Sequence, residues 1–227
     1  MQAERFPASV ARMDGRVSRP RAEIPVLGVS LLVLVWCAWI AKQGLPIWER
    51  ELFLSVNGLP EALYRPLWPF MQYGTFATIP VLAAIAFAFG QRRLAVVFLV
   101  SGVGIYLIAR IVKVVAERDR PMELLGTVVS HGPTQTGAGF PSGHAAVAGA
   151  LAFAVLGYVS RPWVIASFVL AAIVVFGRVF IGAHFPLDVV GGFALGAAAA
   201  ATVHLIWGIP DRPTASGRDS PPGASPA

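Results

Sequence analysis

Two histidines in this sequence have neighbours that suit them to catalysis. His184 lies four residues before Asp188, so the carboxylate can hydrogen-bond one ring nitrogen and leave the other free to attack. His144 directly follows a Pro-Ser-Gly sequence in which Ser142 is a typical helix N-cap. Because the free N–H groups of a first helical turn bind anions, the pattern predicts a nucleophile beside an anion site.

Three basic residues, Lys113, Arg120 and Arg178, accompany the histidines. The planar guanidinium of arginine matches the oxygens of a phosphate group, and the ammonium of lysine supplies a point charge. Three cations beside two histidines and one carboxylate therefore suit a phosphate group that carries two or three negative charges.

Apolar helices must position these residues. The 227-residue chain is 56% hydrophobic and only 13% charged, whereas soluble domains carry about 25% charged residues. We predict an all-α, six-transmembrane-helix bundle over residues 24–208, between a cytoplasmic N-terminal tail (1–23) and a disordered C-terminal tail (209–227). The apolar runs are Ile24–Ala41, Met71–Phe89, Leu94–Ile108, Ala145–Val159, Trp163–Phe176 and Leu187–Trp207.

The basic residues of the loops predict the orientation of this bundle, because cytoplasmic loops are enriched in lysine and arginine. With the N-terminal tail inside, ten basic residues lie inside and eight outside, and three of those eight are the candidate phosphate ligands. Both termini are therefore predicted to be cytoplasmic, in a multi-pass protein of the cell membrane. Segments 113–121, 141–144 and 178–188 then share the extracytoplasmic ends of helices three to six, where we place the active site.

Charge and cysteine content exclude other classes of function. The net charge is +6, but the basic residues cluster at membrane boundaries and form no basic-aromatic groove of the kind that binds nucleic acid. Cys37 is the only cysteine, so the chain can form neither an internal disulfide nor a multi-cysteine metal site.

Three motifs, in order, resemble the signature of the type-2 phosphatidic acid phosphatase superfamily. Residues 113–121 match Lys-x6-Arg-Pro, residues 141–144 match Pro-Ser-Gly-His, and residues 177–188 match Ser-Arg-x5-His-x3-Asp with one departure. The departure is Gly177, which stands where the family usually has serine, and we expect it to cost a hydrogen bond to phosphate. The resemblance covers helices three to six and implies an integral-membrane lipid phosphate phosphatase of bacterial type.

The resemblance also implies a role for each matched residue. His184 attacks phosphorus to form a phosphohistidine, Asp188 orients His184, and His144 protonates the leaving oxygen and then activates water. No metal or other cofactor is needed, because the cations neutralise the developing charge. The implied phosphate ligands are Lys113, Arg120, Ser142, the Gly143 amide and Arg178.

The implied reaction is hydrolysis of a phosphomonoester or diphosphate of a membrane lipid, and the expected partners are that substrate and membrane lipids. Undecaprenyl or another polyprenyl diphosphate is the first choice. Phosphatidic acid and phosphatidylglycerol phosphate stay open, because no motif in the chain recognises a lipid tail. A non-enzymatic anion transporter is the alternative from another class, although the chain lacks two matched halves with broken helices. A vanadium-dependent haloperoxidase has a similar anion pocket, but such proteins are soluble.

Other polar residues are expected to lie outside the site. His131 is expected to be solvated or to line the entrance, and His204 to be a packed, hydrogen-bonded core histidine. The segment Ile47–Tyr64 fits either an amphipathic helix at the outer interface or an ordinary loop with a few buried anchors.

Overall fold

The computed structural model describes residues 17–18, 21–133 and 135–210. Within these ranges the chain is helical apart from connections and one antiparallel strand pair, β1 (Val17–Ser18) with β2 (Ile209–Pro210). The predicted tails lie largely outside the described residues. The helices are α1 (Glu23–Lys42), α2 (Ile47–Asn57), α3 (Tyr64–Met71), α4 (Thr78–Ala88), α5 (Arg92–Ala116), α6 (Pro121–Leu124), α7 (Gly143–Ala154), α8 (Arg161–Phe180) and α9 (Pro186–Trp207).

Each predicted apolar run contains a helix, but Met71–Phe89 is interrupted before α4 and Ala145–Val159 is helical only to Ala154. A membrane span needs about 20 residues, and four stretches of the described chain satisfy this: α1, α8, α9 and the 33-residue stretch Arg92–Leu124 that contains α5 and α6. The stretch Glu61–Gly74 and α4 are bent by 68° relative to each other and form a fifth span if they count as one. Because α7 has only 12 residues, the sixth crossing stays a prediction.

Large apolar side chains cover the outside of the long helices. On α1, Leu32, Val35, Trp36 and Trp39 are all more than half exposed. Exposed apolar surface of this extent indicates contact with lipid or with another protein. In the hydrocarbon core of a membrane, such side chains are exposed to lipid and not to water. The chain is therefore a multi-pass membrane protein.

Close packing of α7 against α9 forms the centre of the bundle. A Cβ atom at Gly192 would overlap the carbonyl oxygen of Ser142, and one at Gly196 would overlap that of Ala146. Small residues at such positions let two helix backbones approach closely. This approach places the beginnings of the two helices side by side, where the Ser142 N–H donates to the Asp188 carbonyl oxygen at 2.9 Å.

The segment after α1 is helical over residues 47–57, so the ordinary-loop interpretation of this part was wrong. Glu49, Phe53 and Asn57 recur every four residues and form the buried face of α2, which packs against α8 and α9. The Asn57 Nδ2 donates to the carbonyl oxygens of Val129 and Phe180, at 2.8 Å each. Through these contacts α2 covers the end of the bundle at which α8 ends and α9 begins.

Candidate active site

The first turn of α7 forms one wall of a cavity at this end of the bundle. The Ala145 N–H lies 3.5 Å from Ser142 Oγ, which confirms that Ser142 caps the helix. His144 follows on the same turn and lines a cavity of about 170 Å³ together with Arg178. A Cβ at Gly143 would meet no atom within 4 Å, so the backbone there is open to a ligand. The rim of the cavity includes Tyr64, Trp68, Gln72 and Gln135.

His184 lies in the short connection between α8 and α9, and only 2% of its surface is exposed. Its Nδ1 atom is 3.6 Å from Asp188 Oδ2, and its Nε2 atom is 3.3 Å from an amino nitrogen of Arg120. Asp188 is held by its place in the first turn of α9, where the Phe185 N–H donates to Oδ2 at 2.9 Å. One ring nitrogen therefore faces the carboxylate and the other faces a cation. The hydrogen bond predicted from the spacing of the third motif is not formed in this structure, in which Nδ1 has no hydrogen-bond partner among the described residues.

Burial lowers the pKa of His184 well below its usual value, and the nearby charges of Arg178, Arg120 and Lys113 lower it further. The imidazole is therefore neutral at physiological pH, with one protonated nitrogen and one lone pair. In the tautomer with the proton on Nδ1, the lone pair of Nε2 faces Arg120, and such an imidazole can attack an electrophile that the cations bind.

The predicted cations surround His184 and organise the loop before α7. Lys113 Nζ donates to the Ala138 carbonyl oxygen at 2.5 Å. Arg120 donates through Nε to Gly137 at 2.8 Å and through an amino group to Ala183 at 2.8 Å. The buried Nε of Arg178 has no hydrogen-bond partner among the described residues. Arg178 also lines the cavity, so its guanidinium group lies where an anion would bind.

Two further charged residues, Glu49 and Arg118, belong to the same cluster and were not predicted. One amino nitrogen of Arg118 lies 2.5 Å from Glu49 Oε2, and the other lies 2.8 Å from Asp188 Oδ1. Arg118 occupies an unspecified position of the first motif, and Glu49 precedes it by 69 residues. Because the two residues are far apart in the sequence, no local motif predicts their contact. The only indication in the sequence is that Glu49 lies on the apolar face of α2.

The departure from the third motif has a steric counterpart. A Cβ atom at Gly177 would overlap Sδ and Cγ of Met71. The space that a serine side chain needs is therefore occupied by Met71, which is itself 4% exposed and part of the cavity wall. Glycine at 177 and methionine at 71 thus form a matched pair.

The two remaining histidines behave differently from each other. The expectation that His131 is solvated was wrong, because the ring is 6% exposed, stacks on Phe180 and bonds the Asn57 carbonyl oxygen through Nε2 at 2.8 Å. His204 is confirmed as a packed core histidine, with Nδ1 at 3.2 Å from Glu23 Oε1 and Nε2 at 3.3 Å from the Ala154 carbonyl oxygen.

Comparison with known proteins identifies the family of this chain. The model of the PAP2 superfamily matches residues 93–210, which include all three motifs. An undecaprenyl-diphosphatase from Sulfolobus acidocaldarius is 30% identical over 149 residues, which are 64% of this chain and 72% of the relative. A putative undecaprenyl-diphosphatase, YbjG, from Escherichia coli is 27% identical over 164 residues, which are 69% of this chain and 81% of the relative.

Two solved structures share the fold. LpxE from Aquifex aeolicus has a TM-score of 0.62 and 24% identity, and the match covers 69% of this chain and 93% of that one. The first transmembrane PAP2 type phosphatidylglycerolphosphate phosphatase from Bacillus subtilis has a TM-score of 0.61 and 20% identity, with coverages of 77% and 93%. The family match spans more than half of the chain, which therefore belongs to the PAP2 superfamily and is a membrane lipid phosphatase.

Proposed function

We propose that this phosphatase hydrolyses the diphosphate of a polyprenyl lipid, undecaprenyl diphosphate being the first choice, through a phosphohistidine and without a metal ion. The observation that carries the mechanism is the position of His184, whose Nδ1 faces Asp188 and whose Nε2 faces Arg120. The substrate is supported by the two relatives described as undecaprenyl-diphosphatases. Family membership favours this hydrolase over the anion transporter.

The first chemical step is attack on the terminal phosphorus. The lone pair of His184 Nε2 forms the P–N bond while the bond from phosphorus to the bridging oxygen breaks. Asp188, whose Oδ2 lies 3.6 Å from Nδ1, would move closer to accept a hydrogen bond from Nδ1–H and stabilise the positive charge that develops on the ring. His144, in the same cavity as Arg178, donates a proton to the departing oxygen, so the lipid leaves as a monophosphate.

The second step returns the enzyme to its starting state. His144, now neutral, takes a proton from a water molecule, and the resulting nucleophile attacks the phosphorus of the phosphohistidine. The P–N bond breaks, its electron pair returns to His184 Nε2, and inorganic phosphate leaves. His144 thus serves as the acid in the first step and as the base in the second step, because the second step requires removal of a proton where the first required its donation.

The phosphoryl oxygens would be held by preorganised cations and N–H groups, which also supply the charge stabilisation that a metal ion gives in other phosphatases. Arg178 would contribute its guanidinium group, which lines the cavity, and the N-terminus of α7 would contribute the amide of Gly143. Arg120, 3.3 Å from His184 Nε2, and Lys113 hold the loop carbonyls at 137–138 and would add positive charge next to the nucleophile.

The size of the cavity suits a head group and excludes the tail. Sites for drug-sized ligands measure about 300–1,000 Å³, whereas this cavity measures about 170 Å³. Trp68, on its rim, is 50% exposed at the surface of the bundle. We infer that the diphosphate enters the cavity while the polyprenyl chain stays in the lipid beside α3.

We place this site on the extracytoplasmic face of the cell membrane, because the basic residues outside the site predominate at the opposite end. A cysteine introduced at Gly126 should react with an impermeant thiol reagent from outside intact cells, whereas one at Gln91 should not. The reverse labelling pattern would move the chemistry to the cytoplasm.

The function is tested with purified protein in detergent and a panel of lipid phosphates. Phosphate release from polyprenyl diphosphate should have the highest kcat/KM, compared with phosphatidic acid and phosphatidylglycerol phosphate, and should persist in the presence of a chelator. His184→Ala should be inactive on every substrate and should form no phosphoenzyme. Preference for phosphatidylglycerol phosphate would overturn the substrate, and loss of activity on chelation that a divalent ion restores would overturn the metal-independent mechanism.

A further inference from the structure

The nucleophile assigned above depends on a carboxylate that other residues hold in place. Asp188 is fully buried, and a buried charge is costly unless it is paired and hydrogen-bonded. Its Oδ2 accepts from the Phe185 N–H at 2.9 Å, and its Oδ1 accepts from Arg118 at 2.8 Å. Both oxygens are thus fixed, and with them the direction in which Asp188 faces His184.

Arg118 is in turn fixed by Glu49. Glu49 is fully buried as well, and its two oxygens accept from the two amino groups of Arg118 at 3.2 Å and 2.5 Å. The same carboxylate accepts from the Leu187 N–H at 2.9 Å, so it also anchors the first turn of α9. The guanidinium carbon of Arg118 lies 5.0 Å from the centre of the Phe185 ring, which closes the cluster on its apolar side.

The charges in this cluster favour its use in catalysis. Arg118 is shared between two carboxylates, so the three charges sum to minus one. Without Glu49, the positive charge of Arg118 would offset the negative charge of Asp188 at the His184 ring. Because Glu49 balances the guanidinium, the net field of the cluster at His184 stays negative and stabilises the positive ring.

We propose that Glu49 and Arg118 are positioning residues for the nucleophile, acting on His184 through Asp188. The proposal rests on the proposed function, in which His184 attacks phosphorus. The proposal gives a function to α2, which lies outside the three motifs. Glu49 reaches the cluster because it lies on the same buried face of α2 as Phe53. The ring of Phe53 packs edge-on against that of Phe185, at 5.1 Å between ring centres.

The test compares Glu49→Gln with Glu51→Gln, a matched change at an exposed position of the same helix. Glu49→Gln should lower kcat and the single-turnover rate of phosphoenzyme formation by about 100-fold, the loss typical of a misplaced catalytic group. KM should change little, because the phosphate ligands are untouched. Glu51→Gln should match the wild type. All rates are measured per folded molecule, on whichever lipid phosphate the wild type hydrolyses best.

A second set of variants separates positioning from folding. Arg118→Lys keeps the charge but cannot hold both carboxylates through a planar fork, so it should lose kcat in the same way. The double variant Glu49→Gln/Arg118→Lys should be no slower than the slower single variant, because both residues act on His184 through the same carboxylate, Asp188. Glu49→Asp, which keeps the charge, should recover part of the rate.

Two results would overturn the proposal. One is equal kcat per folded molecule for Glu49→Gln and Glu51→Gln, including the case in which Glu49→Gln only reduces the yield of folded protein. The other is a rise in KM with unchanged kcat, which would assign the cluster to substrate binding. A change of preferred lipid in the wild type would overturn the proposed substrate and leave this comparison intact.

Discussion

Replacement of Asp188 by asparagine is the most informative single change at the site, because it keeps the shape of the side chain and removes only its charge and one acceptor. The carboxylate meets a donor on each side: Arg118 at 2.8 Å from Oδ1 and the Phe185 N–H at 2.9 Å from Oδ2. An amide has one acceptor and one donor end. In either orientation of the asparagine, its NH2 group therefore faces an N–H donor. The aspartate has at that position an oxygen that accepts a hydrogen bond from this donor.

One orientation harms His184 directly, and the other harms the buried cluster that holds residue 188 in place. If the NH2 group takes the place of Oδ2, it lies 3.6 Å from Nδ1 and favours the tautomer with the proton on Nε2, so the attacking lone pair is lost. If it takes the place of Oδ1, it faces the guanidinium of Arg118, which loses a charge partner in a buried cluster. The wrong tautomer costs about 10⁴-fold in kcat where a buried aspartate orients a catalytic histidine, or about 5.4 kcal/mol. Breaking a buried charge pair costs about 3–5 kcal/mol of stability.

The assay is single-turnover formation of the phosphoenzyme, with thermal unfolding in detergent measured on the same preparation. Asp119→Asn is the matched control, because Asp119 is an exposed carboxylate in the first motif region, and it should match the wild type. Asp188→Asn should form the phosphoenzyme about 10⁴-fold more slowly. A rate within about tenfold of the wild type, in folded protein, would refute the orienting role.

The remaining predictions concern the acid, the pH dependence and the glycine of the third motif. His144→Ala should lose about 10²–10⁴-fold on a lipid monophosphate, whose alkoxide leaves poorly without a proton, but should keep far more of its single-turnover rate on nitrophenyl phosphate; equal losses on both would contradict the acid role. Because the pKa of His184 lies well below its usual value, the single-turnover rate of phosphoenzyme formation should persist below pH 6.5, and the free energy of unfolding should fall with decreasing pH by up to about 1.4 kcal/mol per unit, since only the unfolded state binds the proton. This step does not use His144 as a base, so a loss of its rate centred near pH 6.5 would argue against a neutral, buried nucleophile. Gly177→Ser should be destabilised by up to about 1–3 kcal/mol through overlap with Met71, and the same change should cost less in a Met71→Ala background, as a double-mutant cycle of thermal unfolding measures; an equal cost in both backgrounds would disprove the steric pairing.

The sequence was sufficient where the chemistry is local. His184 and Asp188 are four residues apart across the start of α9, and Ser142 and His144 share one helical turn, so spacing alone predicts their neighbourhood. Glu49 and Arg118 were not predicted, because their contact is made by tertiary packing of α2. His131 was misjudged for the same reason, since its partners, Asn57 and Phe180, belong to α2 and α8.

Hydropathy predicted where the apolar helices lie but not how they are broken. The break between α3 and α4 arises from polar side chains, because Thr75 and Thr78 donate to the Gln72 carbonyl oxygen at 2.8 Å and 2.6 Å. Hydroxyl groups that bond a nearby carbonyl compete with the helical pattern. A hydropathy average over the run Met71–Phe89 contains no information about this competition.

The pairing of β1 with β2 constrains how often the chain passes from one end of the bundle to the other. Val17 lies opposite Pro210 and Ser18 opposite Ile209, so the chain enters α1 and leaves α9 at the same end. A path that starts and finishes at one end makes an even number of passages. We therefore expect the bent pair and α7 either both to cross the membrane or both not to cross it, in addition to the four long spans. A reporter fused at the beginning of the chain and one fused at its end should consequently lie on the same side of the membrane.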